Sequence, residues 1–205
     1  MSYKIKLIKK DKIKTSTWSG GTTNEIYIYP ECSNYKDLNF NWRISSATVD
    51  IDHSTFTTLP NIHRFITTLE GNMSLSHDNG DLIHLKPFQV HEFSGEVNTE
   101  SFGKVKDFNL MLGSKCEGSM KTISLAEYSK FNLSSYILSS NSEMYSSLIF
   151  CPGEDLNIKV DNDIINLLQG DTLLVHGDTQ RDMPTIEILS ERKCNIINVQ
   201  VKILK

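Results

Sequence analysis

The sequence predicts an all-β protein of the sandwich or barrel type. Turn-forming residues recur roughly every eight to twelve positions, and the segments between them alternate apolar and polar side chains. Few segments show the longer period of an amphipathic helix. The 205 residues are enough for one large domain or two small ones, with apolar surface to bury in each.

The composition is that of an ordinary soluble globular protein, with 39% hydrophobic and 22% charged residues. The net charge of −4 disfavours a nucleic-acid partner. No apolar run is long enough to span a bilayer and the chain does not open with a signal-like segment, so we expect no membrane partner. The four cysteines are scattered without a CxxC spacing, which favours reduced thiols and a cytoplasmic location.

In the first half, alternation of side chains defines the strands and turn residues end them. Pro30 stops one strand, Asn79-Gly80 is a strong hairpin signal, and Pro87 interrupts another ladder. A stretch of small and polar residues from 113 to 121 then links this half to the next. The predicted strands cover residues 3–8, 25–29, 40–50, 62–69, 73–76, 81–85, 89–93 and 105–112.

The second half repeats the first weakly. Residues 81–90 resemble 163–175, each a strand, a turn and a strand, and 108–110 resemble 197–199 as a closing strand. We therefore expect two related β-barrels in tandem, covering residues 1–112 and 113–205, with exchange of strands between them left open. The second half is predicted to contain strands at 145–151, 156–160, 163–168, 172–176, 185–190 and 194–203, and a short helix at 125–131.

One predicted strand carries an arginine in unusual surroundings. Within residues 40–50, Arg43 shares its face with the small residues Ser45 and Ala47. Small neighbours leave space around the guanidinium, which is a rigid fork of donors, and a buried arginine left unpaired costs on the order of several kcal/mol. Arg43 therefore needs an anionic partner, which is either a protein carboxylate such as Asp107 or a bound ligand.

The motifs of the common catalytic chemistries are missing from the sequence. None of the six histidines forms an HxH pair, no GxSxG elbow is present, and no glycine-rich loop leads into a helix. Gly20-Gly21 precedes a strand, and it is either a tight turn or a place where the backbone approaches a ligand beside Trp18. We therefore expect neither a metal nor a cofactor.

Charged and polar residues gather on predicted strands of the first half, whereas the second half shows no comparable set. The structural interpretation is an Arg43–Asp107 pair that joins two strands. The functional interpretation is a ligand pocket, because donors, acceptors and aromatic rings are pooled in one half of the chain. The polar members of this set are Glu25, Arg43, Arg64, Asp107 and Asn109.

These residues lie in segments that resemble the HutD/Ves family of bicupin proteins. The most specific segments are 42–49, with the sequence WRISSATV, and 107–111, with the sequence DFNLM. The segment that ends in Glu25 departs from the pattern, because it is shorter than in many relatives and lacks their arginine before the glutamate. The other matching pieces occur in the family's order within the first half of the chain, at residues 18–25, 54–56, 59–60, 64, 69–71, 87–88 and 93–95.

The resemblance implies a cytosolic bicupin, in which two jelly-roll-like β-barrel lobes pack together and the second lobe is degenerate. It also implies the absence of a catalytic metal. One class of members is encoded with histidine-degradation genes and another is associated with stress, which implies a regulatory role. By position, the resemblance implies these ligand-binding residues: Trp18, Thr22, Glu25, Trp42, Arg43, Ser45, Arg64, Phe93, Asp107, Asn109 and Met111.

Three functional hypotheses follow, of which we favour the first. The first is non-enzymatic, regulatory binding of a small organic acid whose carboxylate pairs with Arg43. The second is a metal-free isomerase, lyase or hydrolase with Glu25 or Asp107 as general base. The third is a structural or protein-interaction role in which Arg43 and Asp107 form a closed pair. The edge strands of the second half predict either a homodimer or packing of one lobe on the other.

Overall fold

A computed structural model describes residues 3–133, 142–178 and 183–205, and these form nineteen β-strands, two single-turn 3-10 helices and no α-helix. The all-β prediction is confirmed. No helix in the described ranges is long and apolar enough to cross a membrane. Contacts between residues divide the chain into two compact units. We call residues 13–116 the first lobe, and the described residues of 1–12 and 117–205 the second lobe.

The first lobe contains a six-stranded sheet in the order β2-β3-β4-β11-β6-β9 and a four-stranded sheet in the order β5-β10-β7-β8. The 3-10 helix Tyr35–Asp37 interrupts the connection from β3 to β4. The strands are β2 (Lys14–Trp18), β3 (Gly21–Tyr29), β4 (Trp42–Val49), β5 (His53–Thr55), β6 (Ile62–Glu70), β7 (Met73–His77), β8 (Ile83–Leu85), β9 (His91–Ser94), β10 (Thr99–Phe102) and β11 (Val105–Gly113).

The second lobe contains a five-stranded sheet in the order β1-β17-β14-β19-β12 and a four-stranded sheet in the order β13-β18-β15-β16. The other 3-10 helix, Lys10–Lys12, follows β1. The strands are β1 (Tyr3–Ile8), β12 (Cys116–Leu125), β13 (Ser129–Leu133), β14 (Ser142–Phe150), β15 (Leu156–Val160), β16 (Asp163–Leu167), β17 (Thr172–Gly177), β18 (Ile186–Ser190) and β19 (Cys194–Leu204).

Eight strands of each lobe occupy corresponding positions in its two sheets. The order β4-β11-β6-β9 corresponds to β12-β19-β14-β17, and β5-β10-β7-β8 corresponds to β13-β18-β15-β16. The weak sequence echoes agree with this correspondence, because 81–90 and 163–175 lead from β8 to β9 and from β16 to β17, and 108–110 and 197–199 lie in β11 and β19. Each lobe is therefore the same antiparallel double-sheet unit.

Several sequence expectations differ from the structure. One is the link predicted for 113–121, because residues 116–121 belong to β12. The division at residue 112 places β1 in the first lobe, but β1 pairs with β17, with Ile5 opposite Val175, and so it completes the second lobe. The helix predicted for 125–131 is wrong. The chain turns at Tyr128 and enters β13, whose ladder with β18 outweighs the local preference.

The core of the first lobe includes two apolar clusters, and polar residues lie between them along β11. One cluster contains Val105 with Val49, Ile66 and Phe93. The other contains Met111 with residues that include Ile28, Phe40 and Ile62. Between Val105 and Met111, on the same face of the strand, the chain places Asp107 and Asn109. Charge and amide groups are thus held in the middle of an apolar interior.

Candidate functional site

Strand register brings two arginines to one face of the six-stranded sheet. Arg43 on β4 lies opposite Met111 on β11, and Met111 lies opposite Arg64 on β6. Arg64 in turn lies opposite Phe93 on β9. The two guanidinium groups therefore belong to the same row of side chains, with β11 between their strands.

A second row runs beside the first across the same face. Glu25 on β3 lies opposite Ser45, which lies opposite Asn109 and then Ile66. Asp107 comes one step further along β11, opposite Thr68. Asn109 is consequently at the centre of the face, with the arginine row on one side and Asp107 on the other.

Arg43 has its partners within the protein. Its Nε donates to Glu25 Oε2 at 2.8 Å and its Nη1 donates to Ser45 Oγ at 2.9 Å. The ring of Tyr35 lies 4.5 Å from the centre of the guanidinium group. The predicted Arg43–Asp107 pair is wrong, because the carboxylate that compensates Arg43 is that of Glu25.

Arg64 is the guanidinium that lacks an anion. Its side chain is buried, its Nε has no hydrogen-bond partner, and no carboxylate of the described residues forms an ion pair with it. Phe56 and Phe93 lie 4.7 and 5.1 Å from its centre, as ring centroids. Burial lowers the pKa of Arg64 to about 10, although Tyr35 and Asp107 oppose the shift. Aromatic faces compensate a cation only partly, so Arg64 is left with unsatisfied charge.

Asp107 is a buried carboxyl group without an arginine in ion-pair contact. Its Oδ1 accepts a hydrogen bond from the backbone N–H of Ala47 at 3.0 Å. Burial raises its pKa to about 6, against the lowering effects of the Ala47 hydrogen bond and the charges of Arg64 and Arg43. The group therefore changes protonation near neutral pH, which is the range in which proton-transferring side chains work.

Two further polar atoms on this face are buried without a hydrogen-bond partner. They are Oδ1 of Asn109 and Oγ1 of Thr68, on either side of Asp107. An unsatisfied buried polar atom costs about 1–3 kcal/mol, and native proteins keep few of them. Asn109 and Thr68 are accordingly placed to receive polar groups of a molecule that enters the lobe.

A pair of histidines supports the wall of the site. Nε2 of His77 and Nε2 of His91 are 2.9 Å apart, and His77 Nδ1 is 2.9 Å from Thr99 Oγ1. Both rings pack on Phe93, with centroid distances of 4.9 Å from His77 and 5.7 Å from His91. Burial lowers the pKa of each histidine, and the charge of Arg64 adds to this effect on His77.

The structure brings together eight of the residues that the family resemblance implies. All eight face the interior of the first lobe: Glu25, Arg43, Ser45, Arg64, Phe93, Asp107, Asn109 and Met111.

The other three implied residues lie elsewhere. Trp18 is 37% exposed on the β2–β3 hairpin. Thr22 pairs with Thr48 on the opposite face of the sheet. Trp42 also faces that side and packs against Tyr27, with the two rings tilted at a centroid distance of 5.0 Å.

The Gly20-Gly21 pair is explained by close packing in a hairpin. A Cβ on Gly20 would collide with the ring of Trp18, and one on Gly21 would collide with the carbonyl oxygen of Thr48. Gly21 also has a positive φ of 150°. The close neighbours of both glycines are protein atoms, so the contacts favour the tight-turn interpretation.

Sequence reasoning missed three residues of the site, Tyr35, Phe56 and Thr68, and the two histidines that pack behind its wall, His77 and His91. Phe56 lies in one of the segments that match the family, and its aromatic ring was an available signal. Tyr35 lies in a largely polar connection that also contains Phe40. The histidines gave no signal, because fourteen residues separate two side chains that only the packing of β7 against β9 brings together.

Comparisons with known proteins assign the family. The model of the HutD family matches residues 10–194. This chain belongs to the HutD family. Comparison with curated protein sequences gave no match.

Solved structures show the same fold. PA5104 from Pseudomonas aeruginosa PAO1, a conserved protein of unknown function, is 18% identical with a TM-score of 0.79, over 98% of this chain and 100% of that one. HutD from Pseudomonas fluorescens SBW25 is 20% identical with a TM-score of 0.69, over 96% and 98%. A cupin 2 conserved barrel domain protein from Leptotrichia buccalis is 12% identical with a TM-score of 0.55, over 98% and 96%. The predicted bicupin architecture is confirmed.

Proposed function

We propose that the first lobe binds a small carboxylate-bearing metabolite without transforming it, and that Arg64 is the group that receives the carboxylate. The observation that carries this proposal is the buried guanidinium of Arg64, which has aromatic neighbours but no anion. The anchor differs from the one expected from the sequence, because Arg43 is already paired with Glu25.

The energetic argument is that the ligand supplies what the protein lacks. A buried charge without a counter-charge costs several kcal/mol, on the order of what is lost when a buried ion pair is broken. A carboxylate offers two acceptor oxygens to the guanidinium fork, in charge-assisted hydrogen bonds that are about twice as strong as neutral ones. Binding of a carboxylate at Arg64 therefore offsets the free-energy cost of the unpaired buried guanidinium.

The polar atoms around Arg64 set a second requirement on the ligand. Asn109 Oδ1 and Thr68 Oγ1 are both available as acceptors. A ligand that carries an N–H or O–H group near its carboxylate would satisfy them, whereas a purely apolar acid would leave them unpaired. We therefore favour a short acid with a polar tail over a fatty acid.

One solved relative agrees with a carboxylate ligand, and the regulatory part of the proposal rests on the family resemblance. HutD from Pseudomonas fluorescens was solved in a formate condition, and formate is the smallest carboxylate. A regulatory role in histidine utilisation, or in a stress response, is what the family resemblance implies. The four cysteines of this chain are free thiols, which fits a role in the cytoplasm.

Thermal denaturation with a panel of acids tests the proposal. The panel contains formate, acetate, longer hydroxy and amido acids, and histidine-pathway acids, with formamide as the uncharged control. We expect at least one acid to raise the Tm of the wild type and of Arg192→Met, a control at an exposed arginine of the second lobe. Arg64→Met should not respond. The proposal fails if no acid raises the wild-type Tm, or if Arg64→Met responds as the wild type does.

One observation favours the enzymatic alternative as a second candidate. Asp107 is a buried carboxyl group free of arginine contact, with a pKa raised to about 6, which suits a general base. Glu25 is less suited, because its carboxylate is paired with Arg43. Incubation of each stabilising acid with the protein, followed by proton NMR, distinguishes the two candidates. Conversion that is lost in Asp107→Asn would establish an enzyme, and an unchanged acid supports the binder.

A further inference from the structure

We propose that the Arg64 site takes up its carboxylate together with one proton, and that Asp107 holds this proton in the complex. The inference rests on the proposed function and adds to it the charge state in which the site works. It makes Asp107 a determinant of affinity rather than a base in catalysis.

The number of buried charges leads to this conclusion. Arg43 and Glu25 form an ion pair, with 2.8 Å between Nε and Oε2, so their charges cancel. The remaining pair on the face is Arg64 and Asp107, which are both buried. If Asp107 is ionised, it balances Arg64 and an entering carboxylate leaves the interior with a net negative charge. If Asp107 is neutral, the entering carboxylate balances Arg64, and no uncompensated charge remains.

The surroundings of Asp107 suit the neutral acid. Its Oδ1 accepts from the Ala47 N–H, and the carboxyl group has no ion pair among the described residues. The buried Asp171 of the second lobe shows the contrast, because Lys9 Nζ and the backbone N–H of Lys10 donate to it at 2.8 and 2.9 Å. Asp107 therefore has an oxygen on which a proton from solvent can reside and from which an O–H can donate to the ligand carboxylate.

Other ionisable groups also face this interior, and their contribution to proton uptake must be distinguished from that of Asp107. The fixed charges are those of the arginines and of Glu25. The histidine pair is the group that could take up a proton in its place, since a carboxylate at Arg64 would weaken the charge that now disfavours protonation of His77. The groups are Glu25 on β3, Tyr35 on the 3-10 helix, Arg43 on β4, Arg64 on β6, His77 on β7 and His91 on β9.

The geometry of the histidine pair limits its part in proton uptake. Thr99 Oγ1 donates to the carbonyl of Val97, so it accepts from His77 Nδ1–H. His77 Nε2 is then an acceptor, and His91 Nε2–H donates to it. The pair is satisfied while neutral, and its contact with the site runs through Phe93 rather than through a bond to the ligand. His91→Gln should therefore leave the pH dependence of binding unchanged.

The pH dependence follows by linkage. A carboxyl group with a pKa of about 6 is mostly neutral below this pH and mostly ionised above it. If only the neutral form accepts the ligand, affinity is nearly constant below pH 6 and falls roughly tenfold per pH unit well above it. The proton comes from solvent, so each binding event at pH 7.5 consumes about one proton.

Titration calorimetry with formate as the probe tests the inference. Binding is measured at pH 5.5, 6.5, 7.5 and 8.5, in buffers that differ in ionisation enthalpy, for the wild type, Asp107→Asn and His91→Gln. We expect wild-type affinity to fall close to a hundredfold from pH 6.5 to 8.5, with about one proton taken up at pH 7.5. Asp107→Asn should bind formate at every pH without proton uptake, and His91→Gln should follow the wild type.

Several outcomes would overturn the inference, and they separate it from the proposed function. A wild type that binds formate with constant affinity and no proton uptake would overturn the inference alone. So would a pH dependence that persists in Asp107→Asn or disappears in His91→Gln, because the proton would then belong to the histidine pair. If neither the wild type nor Asp107→Asn binds formate at any pH, the inference falls together with the proposed function for formate.

Discussion

The two lobes place the same strands in the same order, but they satisfy their interior polar groups differently. Asn109 on β11 lies opposite Ile66, and Asn198 on β19 lies opposite Ile149, so the two asparagines occupy equivalent positions. Asn198 Nδ2 donates to the carbonyl of Leu148 at 3.0 Å. Asn109 Oδ1 has no partner. The equivalent asparagine is thus hydrogen-bonded within the second lobe, whereas in the first lobe its side-chain oxygen has no partner.

The contrast extends to the charged groups. The position in β14 that corresponds to Arg64 is Ser147, which accepts a hydrogen bond from Asn198 at 3.4 Å. The buried Lys202 is paired with Glu117 at 2.7 Å. The second half therefore also has buried polar residues, and Asn198 and Lys202 find partners inside the lobe. A buried polar group marks a candidate binding site only when the lobe fails to satisfy it.

The largest expected difference is between the two arginines of the first lobe. Arg43→Met should lower the free energy of unfolding by about 3 kcal/mol, because it leaves Glu25 and Ser45 without their donor. Arg64→Met should change it by less than about 1 kcal/mol, because the lost aromatic contacts are offset by relief of a buried charge. Urea unfolding at pH 5, where Asp107 is mostly neutral and does not balance Arg64, measures both. Equal losses would mean that Arg64 is compensated within the protein.

A pH-dependent gain in stability is expected for Asp107→Asn. The folded pKa of Asp107 is about 6, above the ordinary value of 3.8, so its favourable contribution is fully present below pH 3.8 and is lost as the pH rises through 6. At pH 8 the ionised group opposes folding by up to about 3 kcal/mol. The variant should therefore be more stable than the wild type at pH 8 and similar to it at pH 4, by urea unfolding at each pH. A constant difference between the two proteins would contradict this assignment.

A smaller difference is expected between the equivalent asparagines. Asn198→Leu should cost about 1–3 kcal/mol, since it leaves the carbonyl of Leu148 unpaired in the interior. Asn109→Leu should cost less than about 1 kcal/mol, because it removes an acceptor that is already unsatisfied. The Tm values of the two variants give the comparison in one experiment. If both variants lose the same stability, Asn109 is satisfied in solution and the first lobe is less open than its hydrogen bonds indicate.

Much of the fold could be read from the chain, and so could most of the polar residues of the site. Alternation with a period of two fixes which side chains of a strand share a face, so Arg43 with Ser45, and Asp107 with Asn109, could be grouped without a structure. The turn residues and the echo between 81–90 and 163–175 were enough to predict paired β-lobes. Trp18 and Thr22 could not be excluded from the pocket, because face assignments within one strand do not say which face of the sheet is inside.

The sequence by itself determined most of the strands, the repeated lobe and the identity of the main buried polar groups of the first lobe. Only the tertiary structure decided which of these groups have partners. Met111 on β11 separates Arg43 from Arg64, and the irregular pairing of β3 with β4 between Glu25 and Tyr27 accompanies the contact of Glu25 with Arg43. Register across strands depends on contacts between residues far apart in the chain, and local pattern does not encode it. For that reason only the tertiary structure shows that the arginine without a carboxylate in ion-pair contact is Arg64 rather than Arg43.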